Sequence, residues 1–453
     1  MADTVTNAGQ WVAYRGTILR PLSDVVCQRI EDGAVVVDGD GRVAAVGAWR
    51  EISQMRHLLG EVHGDGTALL LPAMVDNHTH ISQHLIRGQF DRGIAVDDPR
   101  GRLVASLLEN VFPQEAKCAT ELHTASVVAA FAAETMSRGT LGGIAYMTVH
   151  PSAVRMALQM LPDTWRVGLV LMDQHCPDYL RTDASGLERD VGRLVEEFGD
   201  RLVISDRFAV ACSSALRLTG VKLATRWGLR LQTHLNEQSA EKQLVEQELY
   251  KGYGSYTAVY ERDGLLANHA AGGAIMAHCI HMRDPEWEIL RRTGAAVAHC
   301  PTSNVMLGSG VMDLPAVQSA GVDWSICTDV GAGPSSSLLA EVCAFAAIHR
   351  ERGQQAALLC QALHRTTTAA AAMAGVGPRA GGRSVGSLLE GDWASFVEFG
   401  QAGGGALADL LPLSEMPEKA ELSAVRRWLV ERVVSGLPRA RRVVFRGRVV
   451  HRA

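Results

Sequence analysis

Residues 69–83 read LLLPAMVDNHTHISQ, and the fold turns on that stretch. An apolar run interrupted by a Pro leads into His78 and His80, separated by one Thr. Side chains two apart on a strand share a face, so both imidazoles converge on one point. Paired imidazoles at the C-terminal end of a buried strand suit a metal site in a (β/α)8 barrel, which gathers its chemistry at that end. His-X-His is common by itself, so the reading depends on later strands supplying further ligands.

Outward from this stretch, apolar strand-like segments alternate with helical ones. Strands are expected over 69–81, 141–149, 165–173, 202–212, 229–236, 273–281, 295–303 and 322–330. Segments such as TELHTASVVAAFAAETMSR and AEKQLVEQELY between them read as helices. Eight strands with helical crossovers are what a closed (β/α)8 TIM-like barrel needs. An open doubly wound sheet is disfavoured, because no glycine-rich phosphate loop follows the first strand.

Both ends of the chain look different. WVAYRGTIL, GAVVVDGDGRVAAVG and GTALLL near the start are short alternating segments, with GDGR as a hairpin turn. GSLLEGDWASFVEF and ARRVVFRGRVVHRA near the end match them. The expected division is therefore a small composite β-sandwich from residues 1–68 and 385–453, flanking a barrel over 69–384.

The chain has 453 residues, 47% hydrophobic and 21% charged, with net charge −5. That balance is ordinary for a globular protein and gives no electrostatic footprint for nucleic acid or a membrane surface. No apolar run is long enough to span a bilayer, and MADTVTNAGQ lacks a signal-peptide core, so a cytoplasmic location is expected. The nine cysteines are scattered with no CxxC pair, and read as structural and reduced. Residues 84–114 are long for a βα connection and are expected to cover the barrel mouth, with their charges in solvent.

Later strands do supply the ligands. The fifth ends LRLQTHLNE, placing His234 at its tip and Glu237 three residues on. The sixth ends IMAHCIH, with His278 and then His281, and the eighth ends WSICTDVGAG, with Asp329. His78, His80, His234 and Asp329 make a nitrogen–oxygen donor set suited to Zn2+, with Fe2+ as second choice. One ion per subunit is expected, because the fourth strand LVISDRFAVAC has no Lys to bridge a second. A metal there would activate water, Glu237 is the natural proton carrier, and His278 is placed to hydrogen-bond the nucleophile or polarise the substrate. Asp329 has a second use as an acceptor of the water's proton. The H-x-E and P-C-x-x-C pattern of cytidine deaminases is absent.

With DNHTHISQ, DRFAVACS, LQTHLNE, SYTAVYERDGLL, MAHCIH, AHCPTSN and CTDVGAG in that order, the chain resembles the amidohydrolase superfamily, in particular its guanine deaminase branch. The resemblance implies a barrel capped by a composite sandwich, and hydrolytic deamination of an aminated purine-like heterocycle, foremost guanine to xanthine and ammonia. It makes His78, His80, His234 and Asp329 the metal ligands, Glu237 the general acid/base and His278 its neighbour. It assigns substrate contacts to Gln83, Arg207 and Phe208; Asn304 in HCPTSN is expected to order the seventh loop, within reach of substrate. The partner it implies is a small heterocyclic molecule, and the assembly a homodimer. One departure bears on specificity: LLENVFPQ carries Asn110 where the branch has a Trp. Deamination of a pterin, 8-oxoguanine or cytosine-like ring, or removal of chloride or alkylamine from an s-triazine, therefore stays open. A catalytically inactive barrel scaffold is the reading from another class.

Overall fold

The computed structural model describes residues 11–453 except 96, 268–272, 378–384, 401–410, 412, 419 and 435. Sixteen strands lie among the described residues. The first five are β1 (Trp11–Pro21), β2 (Cys27–Val37), β3 (Val43–Ala48), β4 (Leu59–His63) and β5 (Leu69–Pro72). Then come β6 (Met74–His80), β7 (Thr140–Tyr146), β8 (Trp165–Leu171), β9 (Leu202–Asp206), β10 (Arg230–Leu235), β11 (Ile275–His278), β12 (Ala296–His299) and β13 (Trp324–Ile326). The last three are β14 (Phe396–Phe399), β15 (Ala440–Phe445) and β16 (Arg448–Arg452).

Strands β6 to β13 form one parallel sheet in sequence order, with helices in the connections, which is the (β/α)8 barrel. The two edges meet at the residues expected to carry the chemistry. Asp329 N donates to His78 O at 2.9 Å, and His80 N donates to Val330 O at 2.5 Å. Beneath them the buried Asp76 carboxylate accepts from Thr328 N and Thr328 Oγ1, tying β6 to the turn after β13. Small and branched side chains fill the barrel, among them Val75, Ile144, Val203, Ile275, Ala277 and Ala298. The alanine-rich helix Thr368–Ala374 packs against this cluster near the strand starts, leaving the other end of the barrel for the site.

The remaining strands form a single connected sheet in the order β16-β15-β14-β5-β1-β2-β3, with β4 alongside β1. Strands from both termini share one core of Tyr14, Ile18, Val35, Leu70, Phe396 and Val444. The hairpin between β2 and β3 turns where Asp38 Oδ1 accepts from Asp40 N and Arg42 N, an Asx turn. Gly41 in that turn has φ +82°, and a Cβ there would lie 2.2 Å from Arg446 O. Only glycine lets the N-terminal hairpin approach the C-terminal strands this closely.

Two expectations need correction, and two others fall outside the described residues. Residues 69–81 are not one strand: β5 pairs with β1 and β14 in the terminal sheet, and only from Met74 does the chain enter the barrel. An all-apolar strand reads the same whichever sheet buries it, so the handover at Ala73 is set by long-range pairing. The expected boundary at 384 lies outside the described residues, as does the N-terminal stretch 1–10. Finally, the barrel strands stop short of the expected ends: β9 ends at Asp206 and β13 at Ile326. Their apolar continuations are buried loops at the barrel mouth. No helix among the described residues is long and apolar enough to cross a membrane, and all nine cysteines are free.

Candidate metal centre and substrate cavity

His78 and His80 occupy the end of β6, His234 lies near the end of β10, His278 closes β11, and Asp329 follows β13. All five are buried. Strand termini deliver them, and unusual backbone angles turn them inward: Asn236, His278, Cys279 and Asp329 have φ of +51°, +72°, +51° and +47°. Left-handed conformations at non-glycine residues cost of order 1–3 kcal/mol each and persist where the surroundings enforce them. Their concentration at three strand ends marks this rim as the specialised part of the barrel.

Ligating atoms crowd one point. His78 Nε2 is 3.2 Å and His80 Nε2 3.4 Å from Asp329 Oδ1, and His80 Nε2 is 3.3 Å from His234 Nε2. Atoms this close together can all touch one cation bound at ~2.0–2.1 Å. One atom from each of His78, His234, His278 and Asp329 lies within 4.8 Å of the other three. His78 Nδ1 and Nε2 and His234 Nδ1 are buried with no hydrogen-bond partner. Such orphaned nitrogens are costly unless something else satisfies them.

Electrostatics agree. Burial pushes His80 down to about 3 and also lowers His78 and His234, so these imidazoles are neutral. Burial acts to raise Asp329, but the His78 and His80 rings outweigh it and hold that carboxyl well below its usual range. Neutral imidazole and ionised carboxylate are the forms that bind metal. The residues present fit a divalent cation.

Around this cluster, Glu237 Oε2 lies 3.6 Å from His278 Nε2, and Glu237 Oε1 accepts from Ser309 Oγ at 3.4 Å. Burial, reinforced by the Asp329 charge, pushes the Glu237 carboxyl up to about 8. The backbone at Glu237 is fixed from behind: Glu237 N and Gln238 N both donate to Glu241 Oε2, and Tyr256 Oη donates to Glu241 Oε1. His278 Nδ1 is 2.9 Å from Asn304 Oδ1, which orients the ring so that Nε2 faces Glu237 and Asp329.

Above the cluster lies a cavity of about 340 Å3, its mouth included. His80, His234, Glu237, His278 and Asp329 form its floor, and Gln83, Arg207 and Phe208 its polar and aromatic wall. Phe90, Leu103 and Leu107 close another side. These three come from the 84–114 connection, which therefore covers the mouth as its length suggested. Its charges are more than solvated decoration. Arg102 pairs with Asp91, and Arg100 pairs with Asp98 and Glu109. Asn110 points away from the cavity, its Nδ2 donating to Phe90 O and Arg92 O at 2.9 and 3.0 Å.

The structure thus brings together His78, His80, His234, Glu237, His278 and Asp329, with Gln83, Arg207 and Phe208 on the wall above them. His281, Cys279 and Cys300 are absent from the cavity lining. Sequence reasoning missed Glu115, Ser309 and Glu241. Glu115 is 1% exposed and receives Gln83 Nε2 at 2.9 Å. Glu241 lies seven residues after His234, a capping-box signal at the start of the helix Ser239–Gln243 that was available to find it.

A buried His/Asp centre with a neighbouring titratable carboxylate, at the C-terminal end of a (β/α)8 barrel, defines a metal-dependent hydrolase. The model of the amidohydrolase family matches residues 69–425, and the chain belongs to that family. Guanine deaminases are among its relatives within that family. The chain is 28% identical over 340 residues to guanine deaminase of Escherichia coli, covering 73% of this chain and 74% of the relative. It is 27% identical over 424 residues to the probable guanine deaminase of Deinococcus radiodurans, covering 90% and 92%. The crystal structure of guanine deaminase from C. acetobutylicum with bound guanine superposes with a TM-score of 0.78 at 22% identity, covering 98% of this chain and all of that one.

Proposed function

We propose that this chain hydrolytically deaminates guanine to xanthine and ammonia, using one zinc ion held by His78, His80, His234 and Asp329. The observation that carries the reading is the coincidence of that donor cluster with Glu237 and with the Gln83–Arg207 wall in one open-mouthed cavity. The nitrogen-rich, oxygen-completed donor set suits zinc, with iron the second choice. A divalent ion bound there supplies Lewis acidity, bringing the pKa of water toward neutrality.

The chain's own residues do the rest. Arg207 carries only donors and meets ring carbonyl or bare nitrogen acceptors; Gln83 reads the adjacent position. Phe208, Phe90, Leu103 and Leu107 flank the ring and exclude bulk water, which strengthens every charge interaction inside. Beside a bound divalent cation the ionised form of Glu237 is favoured, and it accepts a proton from the attacking water and returns it to the ring nitrogen beside the amino-bearing carbon. A new C–O bond forms at that carbon, the second proton passes from the new hydroxyl to the amine, and the C–N bond breaks to release ammonia and leave a carbonyl. His278, oriented by Asn304, holds the nucleophile's oxygen and disperses the developing charge.

The guanine deaminase relatives favour guanine over a pterin, 8-oxoguanine, a cytosine-like ring or an s-triazine. An inactive scaffold would be expected to have lost ligands, and every one is present in the cluster. The same reading takes the chain to be a cytoplasmic homodimer. The direct test is ammonia release from guanine, 8-oxoguanine, pterin, cytosine and aminotriazines by zinc-loaded protein. Guanine is expected to turn over fastest; release from none of them would end the proposal.

A further inference from the structure

Glu115 has no part in the proton transfers above, yet it is among the most buried carboxylates of the barrel mouth. It sits on the helix Phe112–Ala116, where the long cover over 84–114 rejoins the barrel. Its Oε1 accepts from Gln83 Nε2 at 2.9 Å and lies 3.7 Å from Arg207 Nη2. Its Oε2 has no hydrogen-bond partner, and neither has Arg207 Nε. Glu115 does not itself line the cavity, whereas Gln83 and Arg207 do.

The chemistry of the three groups fixes an orientation. Gln83 turns its amide nitrogen toward Glu115, whose carboxyl oxygen accepts. Its carbonyl oxygen is then the atom left to meet a ligand in the cavity. Arg207, drawn to the same carboxylate, offers donors only. The wall therefore presents one acceptor beside one set of donors. An N–H next to a C=O, the edge of a lactam, complements that order. An edge with a bare ring nitrogen next to an amino group reverses it at both positions.

We propose that Glu115 is a positioning residue that sets the hydrogen-bond polarity of the Gln83–Arg207 wall and so restricts the enzyme to amino-substituted rings bearing a lactam edge. This deepens the deaminase reading and rests on it. Exchanging Glu115 for Gln lets its amide donate to Gln83 Oε1, freeing Gln83 to turn over and donate to the bare ring nitrogen of the reversed edge, which removes one of the two mismatches. A site built to hydrogen-bond its substrate rejects an analogue lacking the matching group far more strongly than a merely apolar pocket would. The discrimination attributable to Glu115 is therefore large enough to measure.

The experiment compares kcat and KM for guanine and 2,6-diaminopurine in zinc-loaded wild type, Glu115→Gln, Gln83→Ala and the double variant, with zinc content measured alongside. Glu115→Gln is expected to keep its zinc, to hold kcat for guanine within about threefold, to raise KM about tenfold or more, and to reduce the preference for guanine over 2,6-diaminopurine about tenfold or more. In the Gln83→Ala background the same exchange is expected to change that preference less than twofold, because the group it orients is gone. Glu115→Asp, which keeps an acceptor-only carboxylate, is expected to retain the preference, and it serves if the Gln variant does not fold. An unchanged preference in Glu115→Gln, or full multiplication of the two effects in the double variant, overturns the proposal. Wild type that turns over neither ring overturns the deaminase reading instead.

Discussion

Glu237→Gln keeps the shape of the side chain and removes its exchangeable carboxylate. General acid–base catalysis by a positioned group contributes about 10²–10⁴-fold, or about 3–5 kcal/mol at 1.36 kcal/mol per tenfold. The local geometry argues for the upper half of that range. The nearest other titratable ring, His278, is 3.6 Å away, and its Nδ1 is committed to Asn304. A fall in kcat of about 10³-fold is therefore expected for zinc-loaded protein, with KM for guanine within about fivefold, because Glu237 is not asked to hold the ring. Stability should move the other way. Burial first, and the Asp329 charge second, raise the Glu237 carboxyl from 4.5 to about 8. The folded state holds a proton that the unfolded state releases, so this contribution is intact below about pH 4.5 and is lost as pH rises through 8. At pH 7 in chelated protein the cost is about 3 kcal/mol at 1.36 kcal/mol per unit, which the neutral Gln avoids. For a chain this long about 1 kcal/mol corresponds to roughly 1 °C, so chelated Glu237→Gln should melt about 3 °C higher at pH 7, and the gap should narrow toward pH 5. Calorimetry and an ammonia assay on the same preparations test both halves. Turnover within tenfold of wild type with zinc retained would remove Glu237 from its role. A lower melting temperature for the chelated variant would refute the burial argument.

Asp329→Asn removes the one charged donor between His78 and His80, and zinc content by atomic spectroscopy should fall from one per chain to below about a tenth, a 10–100-fold loss of affinity being usual even for residues that only support a ligand; a fully loaded, active variant would be inconsistent with ligation. Asn110→Ala deletes two hydrogen bonds that hold the cover against Phe90 and Arg92, so KM for guanine should rise about 5- to 30-fold, equivalent to about 1–2 kcal/mol, with zinc content intact; an unaltered KM would show that the cover does not depend on this clasp. Burial, with Arg87 beside it, lowers His84 to about 4. Protonation of the unfolded chain should therefore erode stability as pH drops from 6.5 through 4, and His84→Gln should show a smaller fall in denaturant midpoint between pH 7 and 4.5; equal falls in the two proteins would contradict this.

Much of the site was legible because barrel chemistry is carried on strand ends, and strand ends are short-range features. His-X-His exposes its shared face through the two-residue period of a strand, and His234, His278 and Asp329 each close a readable apolar run. The rest depended on long-range packing. Nothing local tells an all-buried strand which sheet it joins, so Leu69–Pro72 was read into the barrel although it pairs with β1 and β14. The barrel strands also end earlier than their apolar letters do, since buried mouth loops use the same residues as strands. Glu115 illustrates the deeper limit. A Glu in FPQEA looks like any helical surface residue, and only the fold of the cover carries it beneath Gln83 and Arg207. Asn110 was read as a change in the pocket, whereas it clasps the cover's backbone from outside the cavity.

On the proposed function, one metal ion held at the mouth of the barrel is what enables guanine deamination. The most direct test is a titration of chelated protein with Zn2+, following xanthine formation from guanine and ammonia release together. Activity is expected to be absent without metal, to rise linearly, and to saturate at one ion per chain with xanthine and ammonia formed in equal amounts. Full activity in the chelated protein, a requirement for two ions, or no xanthine at any ratio would contradict it.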